Sequence, residues 1–205
     1  MKIALAALAA LAVSAPAFAA DFSGLRVEGN VGWDQPRLHI DTDNFSAHER
    51  DSGVVYGGEV GYDLRYNNLV VGAVGGIDGT SAKNCTLDNF GRTCIKGDRN
   101  WALGARVGAV VSPRILVYGK GEYVNVRLKG VYDDATDASD SFSDRINRGG
   151  YRLAAGAELA LARNLYVKAE YRYTDYRHTR YDFGGDVGRA DLSRNQIVGG
   201  VGIRF

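Results

Sequence analysis

The sequence predicts an all-β protein: an eight-stranded antiparallel up-and-down transmembrane β-barrel with four long extracellular loops and three short periplasmic turns. Three observations predict it. Apolar and polar residues alternate in eight runs, each about 9–13 residues, the length a tilted strand needs to cross a bilayer. The connections between the runs are alternately long and short. The sequence opens with an export signal and closes on an aromatic residue, Phe205, inside the last alternating run.

The signal occupies residues 1–19. Lys2 supplies a positive start, residues 3–13 are an apolar run of mainly Ala and Leu, and Ala17-Phe18-Ala19 is a small-x-small cleavage site. The run falls short of the ~20 apolar residues that span a bilayer as a helix. Its removal leaves residues 20–205 as one barrel domain. The whole chain has 25 Lys and Arg against 24 Asp and Glu, so loss of Lys2 brings the mature charge to zero. Such a balance creates no field that favours nucleic acid, and no nucleic-acid partner is expected. No later segment reads as a transmembrane helix, so a membrane role must come from strands.

The first predicted strand, 22–33, puts Leu25, Val27, Val31 and Trp33 opposite Arg26, Glu28 and Asn30. The second, 53–64, puts Val54, Tyr56, Val60, Tyr62 and Leu64 opposite Glu59, Gly61 and Asp63. The third, 69–79, turns Leu69, Val71, Ala73 and Ile77 outward. The fourth, 100–111, turns Trp101, Leu103, Ala105, Val107 and Ala109 outward and Arg106 inward. The fifth, 115–129, has Val117 and Tyr123 outward and Tyr118, Lys120 and Glu122 inward, and its pattern blurs beyond Val124, as at a bulge. The sixth, 150–161, opposes Tyr151, Leu153, Ala155, Ala157 and Leu159 to Arg152 and Glu158. The seventh, 165–177, opposes Leu165, Val167, Ala169, Tyr171 and Tyr173 to Lys168, Glu170, Arg172 and Thr174. The eighth, 196–205, opposes Ile197, Val201, Ile203 and Phe205 to Gln196, Gly200, Gly202 and Arg204.

Short turns fall at 65–68, 112–114 and 162–164, and long polar loops at 34–52, 80–99, 130–149 and 178–193. This sorting places both termini and all short turns on one rim. Trp33, Trp101, Tyr62, Tyr123, Tyr151, Tyr171 and Tyr173 lie on outward faces, where amphipathic rings suit the headgroup level. The inward face carries Arg26, Arg106, Lys120, Arg152, Lys168, Arg172 and Arg204 with Glu28, Glu59, Asp63, Glu122, Glu158 and Glu170. An eight-stranded barrel is just wide enough for side chains to fill. Nearly balanced charges in that space are expected to pair into a plug. The competing reading is a narrow charged conduit for small ions.

Cys85 and Cys94, with eight residues between them, read as one local disulfide in an exported chain. Two thiols with no nearby histidine make an incomplete metal site, and no metal or other cofactor is expected.

The segment Leu165-Tyr-Val-Lys-Ala-Glu-Tyr-Arg-Tyr173 and the closing Asn195-Gln-Ile-Val-Gly-Gly-Val-Gly-Ile-Arg-Phe205, with the signal and the strand pattern, resemble the small outer-membrane β-barrel proteins. Within them the chain resembles the opacity-type surface antigens, relatives of the OmpA and OmpX barrels. The resemblance implies an integral protein of a Gram-negative outer membrane, in contact with outer-membrane lipid and lipopolysaccharide. It implies that the aromatic terminal strand is read by the barrel-assembly machinery, a role that falls on Phe205, Ile203 and Val201. It implies a structural or interaction role, by loop display, adhesion to an extracellular or host ligand, or envelope integrity. A small porin is the alternative. No peptidoglycan-binding domain is expected after the barrel.

Enzymatic readings find little support. His39, His48 and His178 fall in or beside long loops, and His178, Ser193 and Asp175 show no spacing that sets a nucleophile against its base. The acidic loop of Asp133, Asp134, Asp137, Asp140 and Asp144 lacks the glycine and terminal glutamate of a calcium loop. Arg177, Arg180, Arg189 and Arg194 read as a basic surface loop that could meet lipopolysaccharide phosphates.

Overall fold

The computed structural model describes residues 20–42, 45–50, 52–81, 83–87, 91–134, 142–183 and 186–205, and within them the side chains of 20–37, 52–81, 100–126, 148–176 and 193–205. The strands are β1 (Gly24–Thr42), β2 (Phe45–Arg50), β3 (Gly53–Tyr66), β4 (Leu69–Thr80), β5 (Lys83–Leu87), β6 (Gly91–Ser112), β7 (Ile115–Asp134), β8 (Phe142–Ala160), β9 (Leu165–Phe183) and β10 (Asp186–Arg204). Eight of them, β1-β3-β4-β6-β7-β8-β9-β10, form a ring in which every neighbouring pair is antiparallel. β10 closes on β1 from Arg26↔Arg204 to Asp41↔Arg189, and Phe205 N donates to Leu25 O at 2.8 Å. Closure leaves the wall no free edge in lipid, where an unpaired amide has no water to bond.

Period-2 alternation gives the wall two opposed surfaces. Trp33 is 60% exposed on the outside while its neighbour Asp34 is fully buried inside. The seven aromatic residues read as outward are all exposed on the outer face. Trp101, Tyr123 and Tyr151 form a ladder of rings across β6, β7 and β8, with centroids 5.9 Å apart at each step. Two of the short turns are tighter than the sequence suggests, at 67–68 and 113–114, while the third is one residue longer, at 161–164. β3 runs on to Tyr66 and reverses through Asn67-Asn68, with Asn67 at φ 55°, a left-handed conformation that Asn tolerates. Arg65 Nε donates to Asn67 O at 2.7 Å and holds the turn.

Three expectations need correction. The first strand starts at Gly24, so Phe22 is not part of the wall. β7 itself carries no bulge beyond Val124: its pairing with β8 runs unbroken, and the irregularity opposite Arg127 and Leu128 lies on β6, between Gly97 and Arg99. The pattern blurs because Val124 and Val126 face inward, into an apolar cluster with Ala102 and Tyr176. Seven of the eight wall strands also extend past their predicted ends into the segments read as long loops, β4 by one residue and the other six by several. Above the lipid the backbone still satisfies itself by pairing, but no solvent boundary demands alternation, so the pattern that marks a strand disappears.

These extensions regroup. Among the described residues, β8 and β9 pair only from Ala160↔Tyr166 to Gly150↔Tyr176, and β3 and β4 only from Tyr66↔Leu69 to Val55↔Thr80. Beyond those points β5-β6-β7-β8 continue as one four-stranded sheet and β9-β10-β1-β2 as another. One closed barrel in the wall thus becomes two separate sheets above it.

Candidate functional site: the charged barrel interior

The interior is built by the even-numbered positions of seven wall strands and the odd-numbered positions of β3. All thirteen charged residues assigned there from the sequence lie inside and are buried. At the level nearest the short turns, Arg106 holds Asp63 with two bonds, Nε–Oδ1 at 2.9 Å and Nη2–Oδ2 at 2.5 Å, and binds Glu158 through Nη1. Arg204 Nη2 reaches Glu158 at 2.9 Å and Asp63 at 3.3 Å. The Arg106 guanidinium stands 5.0 Å over the Tyr118 ring, and that of Arg204 stands 4.9 Å over Tyr166. Bidentate and stacked contacts of this kind suit a planar guanidinium and would not suit lysine.

At mid-height Arg26 joins Glu59 at 2.9 Å, Glu28 at 3.1 Å and Asp63 at 3.3 Å. Lys120 Nζ bridges Glu59 at 2.7 Å and Glu170 at 3.0 Å, and Lys168 binds Glu28. Tyr118 and Tyr166 donate their hydroxyls to Glu170 and Glu28, each at 2.7 Å. Higher still, Arg172 meets Glu170 at 2.5 Å and Asp78 at 3.2 Å, and Arg152 meets Asp78 at 2.9 Å and Glu122 at 3.7 Å. Near the extracellular end Asp34 binds Arg194, and accepts from Gln196 at 3.2 Å and Thr80 at 2.7 Å.

Asp34, Asp78 and Arg194 were not assigned to the interior by the sequence reading, and Arg194 was read as a surface-loop cation. The structure buries it in the lumen against Asp34. With these three, among the described residues eight buried cations (Arg26, Arg106, Lys120, Arg152, Lys168, Arg172, Arg194, Arg204) face eight buried acids (Glu28, Asp34, Glu59, Asp63, Asp78, Glu122, Glu158, Glu170). Strand parity carries the signal that could have found them. Asp34 follows Arg26, Glu28 and Asn30, and Arg194 precedes Gln196 and Arg204, each on the same face of one strand.

Glycine makes room for this network. A Cβ at Gly61 would stand 2.7–2.8 Å from the Arg26 guanidinium, and one at Gly202 only 2.3 Å from the Tyr166 ring. Long side chains rooted on one strand lie flat over glycines of the next.

Other candidates do not assemble. Asp175 is exposed on the outer face and pairs across β9–β10 with Ser193, while the side chain of His178 lies outside the described residues. Asp137 and Asp140, and the side chains of Asp133, Asp134, Asp144, Arg177, Arg180, Arg189, Cys85 and Cys94, also lie outside them. Among the described residues no cluster of His, Cys, Asp and Glu could hold a metal ion. The backbone does set Cys85 directly opposite Cys94 in the β5–β6 register. Val201, Ile203 and Phe205 point outward along β10.

A closed eight-stranded barrel, apolar outside and charged inside, defines an integral outer-membrane β-barrel protein. The chain belongs to the family described as the outer membrane protein beta-barrel domain, which matches residues 4–205. It is 32% identical over 132 residues to the 31 kDa outer-membrane immunogenic protein of Brucella melitensis, covering 60% of this chain and 54% of that protein. It is 29% identical over 154 residues to the 22 kDa outer membrane protein of Rhizobium leguminosarum bv. viciae, covering 73% of this chain and 66% of that protein. The chain therefore spans about half the length of the Brucella relative. Neisserial surface protein A is similar in structure, with a TM-score of 0.51 and 15% identity over 89% of this chain and 98% of its own. Ail, the attachment invasion locus protein of Yersinia pestis, has a TM-score of 0.50 and 14% identity over 89% and 99%. Both share the fold. The protein is integral to the outer membrane.

Proposed function

We propose that this protein is a non-enzymatic surface barrel with a sealed lumen, which carries its two extracellular sheets outward to meet ligands or to stabilise the envelope. One observation carries the reading: eight cations and eight acids interlock across the interior. A permeating ion would have to displace a paired charge, and breaking a buried pair costs about 3–5 kcal/mol. The polar extensions above the wall are the part of the molecule available to a host glycan, a protein or lipopolysaccharide. The Brucella relative's name calls that protein immunogenic, which supports exposure of the corresponding region here. In this reading the signal at 1–19 is removed, the β10 face ending in Phe205 guides assembly by the barrel-assembly machinery, and Cys85–Cys94 is a disulfide. Directly opposed residues in an antiparallel pair stand about 4.5–5.5 Å apart at Cα, within the range a disulfide spans.

Single-channel recording of the refolded barrel in a planar bilayer tests the seal, with folding checked by the heat-dependent gel shift. A folded, silent barrel is expected. Reproducible discrete openings would replace the sealed barrel with a small porin, and the interior charges would become its selectivity lining.

A further inference from the structure

Residues 20–23 lie at the turn end of the barrel, in contact with residues from across the ring. β1 starts at Gly24, and the residues before it leave the wall and cross the barrel floor. Ala20 N donates to Pro113 O at 2.9 Å. Pro113 lies in the β6–β7 turn, across the ring from β1. Arg65, at the end of β3, donates from Nη1 to Ala20 O at 3.1 Å. Between these anchors Phe22 is fully buried against Val70, Leu116, Tyr118 and Ala160, which β4, β7 and β8 contribute. The guanidinium of Arg204 faces its ring at 5.4 Å and that of Arg65 at 6.0 Å. Asp21 stays exposed and accepts from Ser23 N and Oγ at 3.1 and 2.7 Å, which turns the chain back toward the wall. Gly24 completes the reversal at φ 105°, where a Cβ would stand 2.0 Å from Phe205 O. Only glycine fits that conformation and that approach.

We propose that residues 20–23 form a stopper that seals the periplasmic mouth beneath the charge network, and that export processing completes it. Val70 and Leu116 project into the lumen at the turn end, where an open mouth would wet them; with Phe22 seated both are fully buried. Apolar surface covered in this way excludes water without any charge to pair. Cleavage after Ala19 would make the Ala20 nitrogen an ammonium, protonated at neutral pH, and strengthen its bond to the Pro113 carbonyl. The proposal rests on the floor geometry and stands apart from the seal formed by the charges.

The test is methyl NMR of the processed chain, residues 20–205, in micelles, with a water-soluble gadolinium chelate added. The Val70 and Leu116 methyls are expected to be shielded in the intact chain. Their relaxation should rise several-fold on deletion of residues 20–22, while Val124, buried in the upper lumen, does not change. Phe22→Ala gives the same comparison should the deletion variant not fold. Equal shielding with and without the segment, or methyls already exposed in the intact chain, would overturn the stopper. Channel recordings play no part in this outcome, so the charge seal and the stopper stand or fall separately.

Discussion

The lower and upper halves of the lumen use the same residue types to different effect. Near the short turns, Arg106 grips Asp63 with two bonds, Arg204 bridges Asp63 and Glu158 through one nitrogen, and aromatic rings stack on both guanidiniums with Phe22 below. Toward the extracellular end the contacts are uneven: Asp34 binds Arg194 closely and Arg152 meets Asp78 at 2.9 Å, but Glu122 is poorly held. Glu122 lies 3.7 Å from Arg152 and neither of its carboxylate oxygens has a hydrogen-bond partner, whereas every acid of the turn-side group is bonded to a cation. In the proposed sealed lumen, the turn-side group with Phe22 beneath it forms the main barrier, and the surroundings of Glu122 are the weaker part.

The gradient can be broken at its strong end. Arg106→Ala takes the bidentate partner from Asp63 and one of the two cations from Glu158, leaving them to Arg26 and Arg204, and removing one partner of a buried pair costs up to about 3–5 kcal/mol. The thermal gel-shift midpoint should fall more for this variant than for any single substitution in the upper lumen. Glu122→Gln sharpens the comparison from the other side. Arg152 keeps Asp78 at 2.9 Å, so a change of about 1 kcal/mol or less is expected; a loss equal to that of Arg106→Ala would abolish the gradient. The smallest effect on the barrel should come from the extracellular hairpin. Reduction of a Cys85–Cys94 bond would remove about 2–3 kcal/mol of local constraint from a small ring and leave the barrel's melting unchanged. Proteolysis of the β5–β6 hairpin should accelerate, and alkylation of both cysteines only after reduction would identify the bond.

Much of the wall was legible because lipid on one side and a packed lumen on the other impose alternation residue by residue. Leu165, Val167 and Ala169 against Lys168 and Glu170 declare their faces without any knowledge of neighbours. The signal fades where one boundary disappears. Asp34 and Arg194 sit just above the apolar band, so they read as loop residues although their parity already pointed inward. Val124 and Val126 resembled an irregularity because an apolar pair faced the lumen.

The sequence by itself determined the fold class, the strand count of the wall, and which face of each strand meets lipid, since period-2 patterning is local. Tertiary structure alone decided which charges meet. Lys168 binds Glu28 across 140 positions and Arg152 meets Asp78 across 74, pairings set by closure and stagger of the ring, which alternation cannot encode. It also decided that Phe22 is a stopper and that the strands separate into two sheets above the membrane. Both depend on what lies across the barrel, and a strand's own pattern records only inside from outside.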